Sequence, residues 1–380
     1  VPSHDEESRE QRRRQGVKQG QTFAVAFGML ALGAAVPAQA FEDAVYKGRF
    51  AAQYFEAGQL RTISVLPFAG PDGENFAKAL AGEMRAVQLN EDQWYTVKAP
   101  DGIDKAQALA VATSGDNTSG AVAIGKKLDV KGIYTGTVQQ ARISRTDRNE
   151  VTTECADGTD CKKKEPRNIV CTRIVLEYAV AARIINVASG ATIYAKNHAA
   201  QDGYDLCNGK GQEIKVEENE GLAVKFAKAI TGGPKKEGFA VEFTEDALFQ
   251  RVRANIAGKI RADVAPSNRP LSVEFKRRAS ELPKPQQVTF ESGTPFIKAD
   301  RLDRACSIWE VMESDPAAAT SISLLYNLGV CQEALVPENP SAALEYYVKA
   351  DQLTIKPDKL VSAALLRAKE MVENQKKIGS

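Results

Sequence analysis

Six cysteines and a single histidine are the side chains beyond residue 40 best equipped for chemistry: Cys155, Cys161, Cys171, Cys207, Cys306, Cys331 and His198. Half of the cysteines crowd into "TTECADGTDCKKKEPRNIVC", residues 152–171. Thiols in such a stretch bind a metal, exchange electrons or close disulfides. Zinc sites bring C-x2-C pairs or paired histidines, and dithiol redox centres bring C-x-x-C. Here five, nine and thirty-five residues separate the first four cysteines, and no C-x-x-C occurs. An even count without those spacings predicts disulfides in an oxidising compartment. No metal and no cofactor is expected.

The other constellations are weaker. "GAVAIGKK" (120–127) is one residue from G-x4-G-K-[ST], whose mechanism needs loop amides around phosphates and a hydroxyl for Mg²⁺. Its four variable positions are apolar and Lys127 replaces the hydroxyl residue, so a helix packing its apolar face is predicted. A Ser–His–Asp arrangement would have to use His198, with Asp202 and Asp205 near it in sequence. No G-x-S-x-G elbow exists, and His198 is expected at the surface near a strand end. "DGTD" and "NEDQ" lack the spacing of a calcium loop. No catalytic residue is assigned, and the chain is read as non-enzymatic.

The compartment is written near the start. "VKQGQTFAVAFGMLALGAAVPAQAF" (17–41) opens with Lys18, runs apolar from Phe23 to Val36 and breaks at Pro37. Ala38 and Ala40 put small residues at the two positions that a signal peptidase reads. The run is shorter than the about 20 residues that span a bilayer. Cleavage between Ala40 and Phe41 and a periplasmic location are predicted, with no cysteine at the new terminus for a lipid anchor. The charged residues 1–16 are read as an over-extended start, with initiation near Val17; a disordered tail is the alternative. A net charge of +1 and 7% aromatic residues favour neither nucleic acid nor base-stacking platforms.

The cysteines must be positioned by strands. In "TRIVLEYAVAARIINV" (172–187), Ile174, Leu176, Tyr178, Val180, Ala182 and Ile184 share one face, and Arg173, Glu177 and Arg183 the other. Period two with one wet face predicts a half-buried antiparallel strand. "ASGA" (188–191) reads as a tight turn, and "TIYAKNHA" runs back. Opposed residue numbers in a hairpin sum to a constant, here 378 or 379, which places Cys171 opposite Cys207 or its neighbour. That leaves Cys155 with Cys161 and Cys306 with Cys331. On the preceding strand, strict alternation puts Val138, Gln140, Arg142 and Ser144 on one face and Thr137, Gln139, Ala141 and Ile143 on the other. Neither is a lipid-facing band.

Around this hairpin, residues 41–265 read as one α+β domain, a mixed sheet with flanking helices. Phe41–Gly58 is helical in pattern, with Tyr46, Phe50 and Tyr54 at helix spacing. "TISVLPFAG", "QWYTVKAP" and "VKGIYTGTVQQARIS" read as strands. "ENFAKALAGEMRAVQL", "SGAVAIGKKL" and "EDALFQRVRANIAGKIRADVAP" read as helices. Residues 266–298 carry Pro266, Pro270, Pro283, Pro285 and Pro295 and read as a linker with one strand at 271–276.

Residues 299–380 read as all-helical. Ala305, Trp309 and Met312 are spaced A-x3-W-x2-M, and Ala343, Tyr347 and Ala350 repeat that spacing 38 residues on. With "LLYNLGVCQEAL" between them, the module resembles tetratricopeptide repeats. Ala343, Tyr347 and Ala350 should point inward. Tyr346, about 100° round the helix, is the candidate partner-binding aromatic.

"ISVLPFAGPDG", "GKKLDVKGIYTGTV", "ARIINVASGATIYAK" and the amphipathic helix at 244–264 together resemble a known envelope α/β family. It is that of the curli secretion lipoprotein CsgG and the outer-membrane activators of penicillin-binding proteins. The resemblance covers about 200 residues and implies a CsgG-like fold that binds envelope proteins or assembles. The absent lipid cysteine departs from it. The reading is a periplasmic scaffold or adaptor in assembly of the envelope or a surface structure. A subunit of an outer-membrane secretion pore is the alternative, and a hydrolase comes third. Oligomerisation and peripheral association with the outer membrane stay open.

Overall fold

The alternation over 174–184 forms the centre of the molecule. The computed structural model describes residues 42–89, 91–115, 118–155, 164–207, 210–213 and 243–379, and in it all six predicted core positions of that strand are buried. The expected signal, its cleavage at Ala38, Ala40 and Phe41, and the Cys155–Cys161 pair lie outside the described residues, wholly or through one partner.

Strand β1 (Glu42–Phe50) is followed by the short α1 (Phe55–Gly58), β2 (Thr62–Val65) and α2 (Gly73–Arg85). A small ladder of β3 (Gln88–Leu89) and β4 (Asp92–Gln93) precedes β5 (Thr96–Lys98), α3 (Lys105–Thr113) and α4 (Ser119–Leu128). Then come the long strands β6 (Gly132–Cys155), β7 (Lys164–Asn186) and β8 (Thr192–Cys207), the short β9 (Lys210–Glu213), α5 (Glu245–Val264) and β10 (Ser267–Phe275). The main sheet has the order β5–β2–β6–β7–β8–β9. β2 is parallel to β5 and β6, and the remaining pairs are antiparallel.

Both faces of the inner sheet are covered, by different helices. On one face Tyr134, Val138 and the even-numbered residues 174–184 pack against Phe76, Leu80 and Met84 of α2 and Leu248, Val252, Ile256 and Ile260 of α5. The four-residue period of α5 puts these side chains on one stripe. On the other face Ile133, Ile185 and Val187 pack against Ala108 and Val111 of α3 and Ala121 and Ile124 of α4. "GAVAIGKK" is thus a helix with its apolar side inward. Asp72 ties α5 to the sheet, accepting from Arg253 at 2.7 and 2.8 Å and from the Tyr178 hydroxyl at 2.8 Å. Burial opposes its charge, but those donors and Asn75 prevail and hold its carboxyl below the usual range.

Two expectations about the strands are corrected. Residues 42–50 are a strand, not a helix: β1 pairs antiparallel with β10, from Glu42 opposite Phe275 to Phe50 opposite Ser267. The pairing partner lies more than two hundred residues away in sequence, so local periodicity could not show it. The face assignment on β6 also changes, because the register shifts between Val138 and Gln140. The extra residue of this bulge resets the alternation. Ala141 and Ile143 therefore join Val138 against the core, and Gln140, Arg142 and Ser144 take the opposite face.

The C-terminal region is helical: α6 (Lys284–Glu291), α7 (Thr294–Lys298), α8 (Leu302–Glu313), α9 (Ile322–Leu335), α10 (Pro340–Gln352) and α11 (Lys359–Gly379). Ala343, Tyr347 and Ala350 are fully buried. A Cβ on Gly329 would meet the Tyr347 ring at 2.4 Å, so only glycine allows α9 and α10 to approach so closely. Residues 266–298, expected as a linker, hold β10, α6 and α7 and bury Phe275, Leu282, Phe290 and Ile297 in the helical core. Asn327, fully buried, accepts from the Lys276 amide and donates to its carbonyl, both at 2.9 Å, extending the strand end as another strand would. The described residues between 41 and 380 consequently belong to one compact unit. Cys171–Cys207 and Cys306–Cys331 are disulfide-bonded, bonds that persist in oxidising compartments. No helix of the described residues is long and apolar enough to cross a membrane.

Candidate functional site

His198 is not at the surface; it is 8% exposed. It stands opposite Val180 in the ladder, on the sheet face that α5 covers. Tyr194, Lys196 and His198 are alternate residues of β8, so all three side chains leave on that face. They converge on Asp263 in the last turn of α5. The Asp263 carboxylate accepts from Tyr194 at 3.0 Å and Lys196 at 2.9 Å, and lies 3.6 Å from His198 Nε2. Tyr194 and His198 Nε2 are 2.6 Å apart. With the phenol proton given to Asp263, the Nε2–H tautomer of His198 donates to the tyrosine oxygen. Burial lowers the histidine pKa, Asp263 opposes that, and Lys196 and Lys259 reinforce it.

This cluster does not assemble a triad. Asp202 pairs with Arg251 at 2.7 Å, and Asp205 with Arg148 and Arg173 at 2.6 and 3.0 Å. No serine, threonine or cysteine among the described residues is hydrogen-bonded to His198. The arrangement binds α5 to β8 and satisfies its own donors.

A polar face, exposed at Arg142 and buried at Cys171, Asp205 and Cys207, lies on the β6–β7–β8 ribbon. Its outer face carries Gln140, Arg142, Glu177 and Gln201, with Glu177 accepting from Gln140 at 2.7 Å and Arg142 at 2.8 Å. Further along come Arg148, Glu150, Cys171, Arg173, Asp205 and Cys207. Cys171 is directly opposite Cys207, Cα to Cα 4.1 Å. Among the described residues, β6 beyond Val138 has a neighbouring strand on one side only. Seventeen residues, 139–155, thus offer the backbone groups of one strand edge.

Tyr346 is half-buried on α10. Its hydroxyl donates to Glu313 at 2.8 Å, and Lys349 lies over its ring. Burial, then Glu313, pushes its pKa up to about 12.

The sequence reading missed Asp263, Glu333 and Arg367. Glu333 is 2% exposed and accepts from Arg367 at 2.7 and 2.8 Å, from Tyr347 at 2.7 Å and from Tyr46. Both acids carry a readable signal. Asp263 is three residues past Ile260 and seven past Ile256; Glu333 is three past Val330 and seven past Tyr326. Each is an ionisable group on an apolar stripe, a position that demands a buried partner.

No family model and no curated protein matches the chain. Among solved structures, it is similar to a PelC dodecamer from Paraburkholderia phytofirmans at 14% identity and a TM-score of 0.21, over 43% of this chain and 82% of that one. It is also similar to the hypothetical protein CT253 from Chlamydia trachomatis at 12% identity and a TM-score of 0.26, over 53% of this chain and 97% of that one.

Proposed function

We propose that this chain is an exported, non-enzymatic scaffold or adaptor of the cell envelope that works by binding partner proteins. The observation that carries the reading is the edge of β6 beyond Val138, which has no neighbouring strand among the described residues. A strand edge with unpaired amides and carbonyls is a template for another chain, and natural edges left open are usually blunted by charge. Arg142, Arg145, Asp147 and Arg148 along this edge oppose indiscriminate pairing and leave room for a matched partner strand. The consumed state of His198, held by Tyr194 and Asp263, favours binding over hydrolysis. The helical region is read as tetratricopeptide-like and the sheet domain as CsgG-like. In both, the resemblance stated for the sequence is the support.

The secretion-pore reading ranks second. The apolar residues of β6 and β7 that could face lipid, Val138, Ala141, Ile143 and the even-numbered residues from Ile174 to Ile184, are those that pack on the core under α2 and α5.

A photo-crosslinking amino acid at Ser144, placed in the full chain in cells, tests the proposal. The expected outcome is a discrete adduct with one envelope protein. Absence of any adduct from Ser144, Thr146 and Tyr346, or ion conductance by the purified protein in planar bilayers, would overturn it.

A further inference from the structure

We propose that Glu150, Cys171 and Cys207 are a latent site for a divalent metal of the zinc class, closed by the Cys171–Cys207 disulfide and opened by its reduction. The three residues sit on adjacent strands, β6, β7 and β8, with side chains on the same outer face. Their donor atoms all lie within 4.8 Å of one another. Glu150 Oε2 is 3.4 Å from Cys171 Sγ. A disulfide sulfur carries no proton, so this contact is not a hydrogen bond. A carboxylate oxygen stands against the sulfur without a donor from it, while the other oxygen is held by Arg148 at 2.6 Å.

Reduction converts this contact into a ligand set. A dithiol transfers two electrons and two protons to the disulfide, giving two cysteine thiols and its own disulfide. A divalent ion then binds both sulfurs and the Glu150 carboxylate, and the two thiol protons leave to solvent. Two thiolates on one zinc ion stand roughly 3.7 Å apart, from a Zn–S length of about 2.3 Å and a tetrahedral angle. The Cys171 and Cys207 Cα atoms are 4.1 Å apart and the Cβ atoms of a disulfide about 3.5–4.5 Å apart, so side-chain rotation reaches that spacing without backbone rearrangement.

The donor set selects the metal. Thiolates favour zinc over magnesium or calcium, which take oxygen ligands. Three protein ligands leave a fourth position for water. The change leaves no charge stranded: when Glu150 turns to the metal, Arg148 keeps Asp205 at 2.6 Å. Access runs past Glu150 and Arg148, whose side chains are 42% and 34% exposed, to cysteines that are buried.

Cobalt(II) titration of the full chain tests this, before and after reduction with a phosphine that does not compete for the metal. The expected result is no thiolate–cobalt charge-transfer band in the oxidised protein, and a one-equivalent band after reduction that zinc displaces. Cys171→Ser/Cys207→Ser should abolish the band. Glu150→Gln keeps both cysteines and should weaken cobalt binding by more than about tenfold, the upper part of what even outer-shell changes cost. Circular dichroism checks that each variant is folded. A reduced protein without the band, a band that survives the double serine variant, the same band in oxidised protein, or Glu150→Gln binding as tightly as the parent would each overturn the proposal.

Discussion

Tyr46 and Glu333 lie 287 residues apart in the chain and share a hydrogen bond in the interior, donated by the phenol to the carboxylate. Burial, then the facing carboxylate, raises the Tyr46 pKa far above its ordinary value. The same carboxylate holds Tyr347 and the guanidinium of Arg367, so β1 is bolted to α9, α10 and α11 at one point. Tyr46→Phe should cost about 1–3 kcal/mol, the penalty for leaving a buried acceptor short of one donor. Glu333→Ala should cost more, about 3–5 kcal/mol, because it strands the Arg367 charge. Urea unfolding of both variants measures the difference, and equal losses would contradict the network.

His198 predicts an acid-side weakness. Its folded pKa is lowered by burial, from an ordinary value of about 6.5. The unfolded chain therefore binds the proton more readily. The stability contributed by neutral His198 is complete above about pH 6.5, falls as pH drops through that value, and levels off below the folded pKa. His198→Gln should flatten the stability profile across that window relative to the parent. Superimposable slopes in thermal melts from pH 8 to pH 5 would refute the assignment.

The bulge on β6 makes an unusual deletion tolerable. Removing Gln139 leaves Val138, Ala141 and Ile143 facing the core, since only one residue then stands between Val138 and Ala141. Removing Arg142 instead turns Ile143 outward. The first deletion should cost under about 2 kcal/mol and the second clearly more, in the range of core disruption. Denaturant midpoints of the two deletion variants decide it.

Tyr346 separates anchoring from packing. Its ring is half-buried and its hydroxyl bonded to Glu313, so Tyr346→Phe should change stability by no more than about 1.5 kcal/mol. If the residue is a partner anchor, Tyr346→Ala lowers partner recovery from envelope extracts well beyond what Tyr346→Phe does. Equal recovery by both variants and the parent would leave Tyr346 with a packing role alone. Deleting 299–380 is not a clean test, because it would uncover Tyr46, Val273 and Phe275, which pack in the helical core.

What the sequence determined by itself was the local geometry of strongly patterned elements. The period of two over 174–184 named the buried face of β7, because side chains alternate across a strand whatever surrounds it. The same arithmetic set Cys171 opposite Cys207 or its neighbour; the ladder, whose register shifts between Ile184 and Ile185, decides for Cys207. The spacing of Ala343, Tyr347 and Ala350 named the inner face of α10. Tertiary structure alone decided the rest. Residues 42–50 carry a helix-like spacing of aromatics, yet they are a strand because β10 supplies the partner edge and the helices beneath it supply the cover for Tyr46. Residues 266–298 are rich in proline, yet they are part of the core because Asn327 binds the Lys276 backbone and Glu281 accepts from the Ser321 hydroxyl and the Ser323 amide. His198 is buried because α5, which begins 47 residues later, closes over β8 and brings Asp263 with it. Each of these outcomes rests on contacts distant in sequence, whose energies no local period encodes.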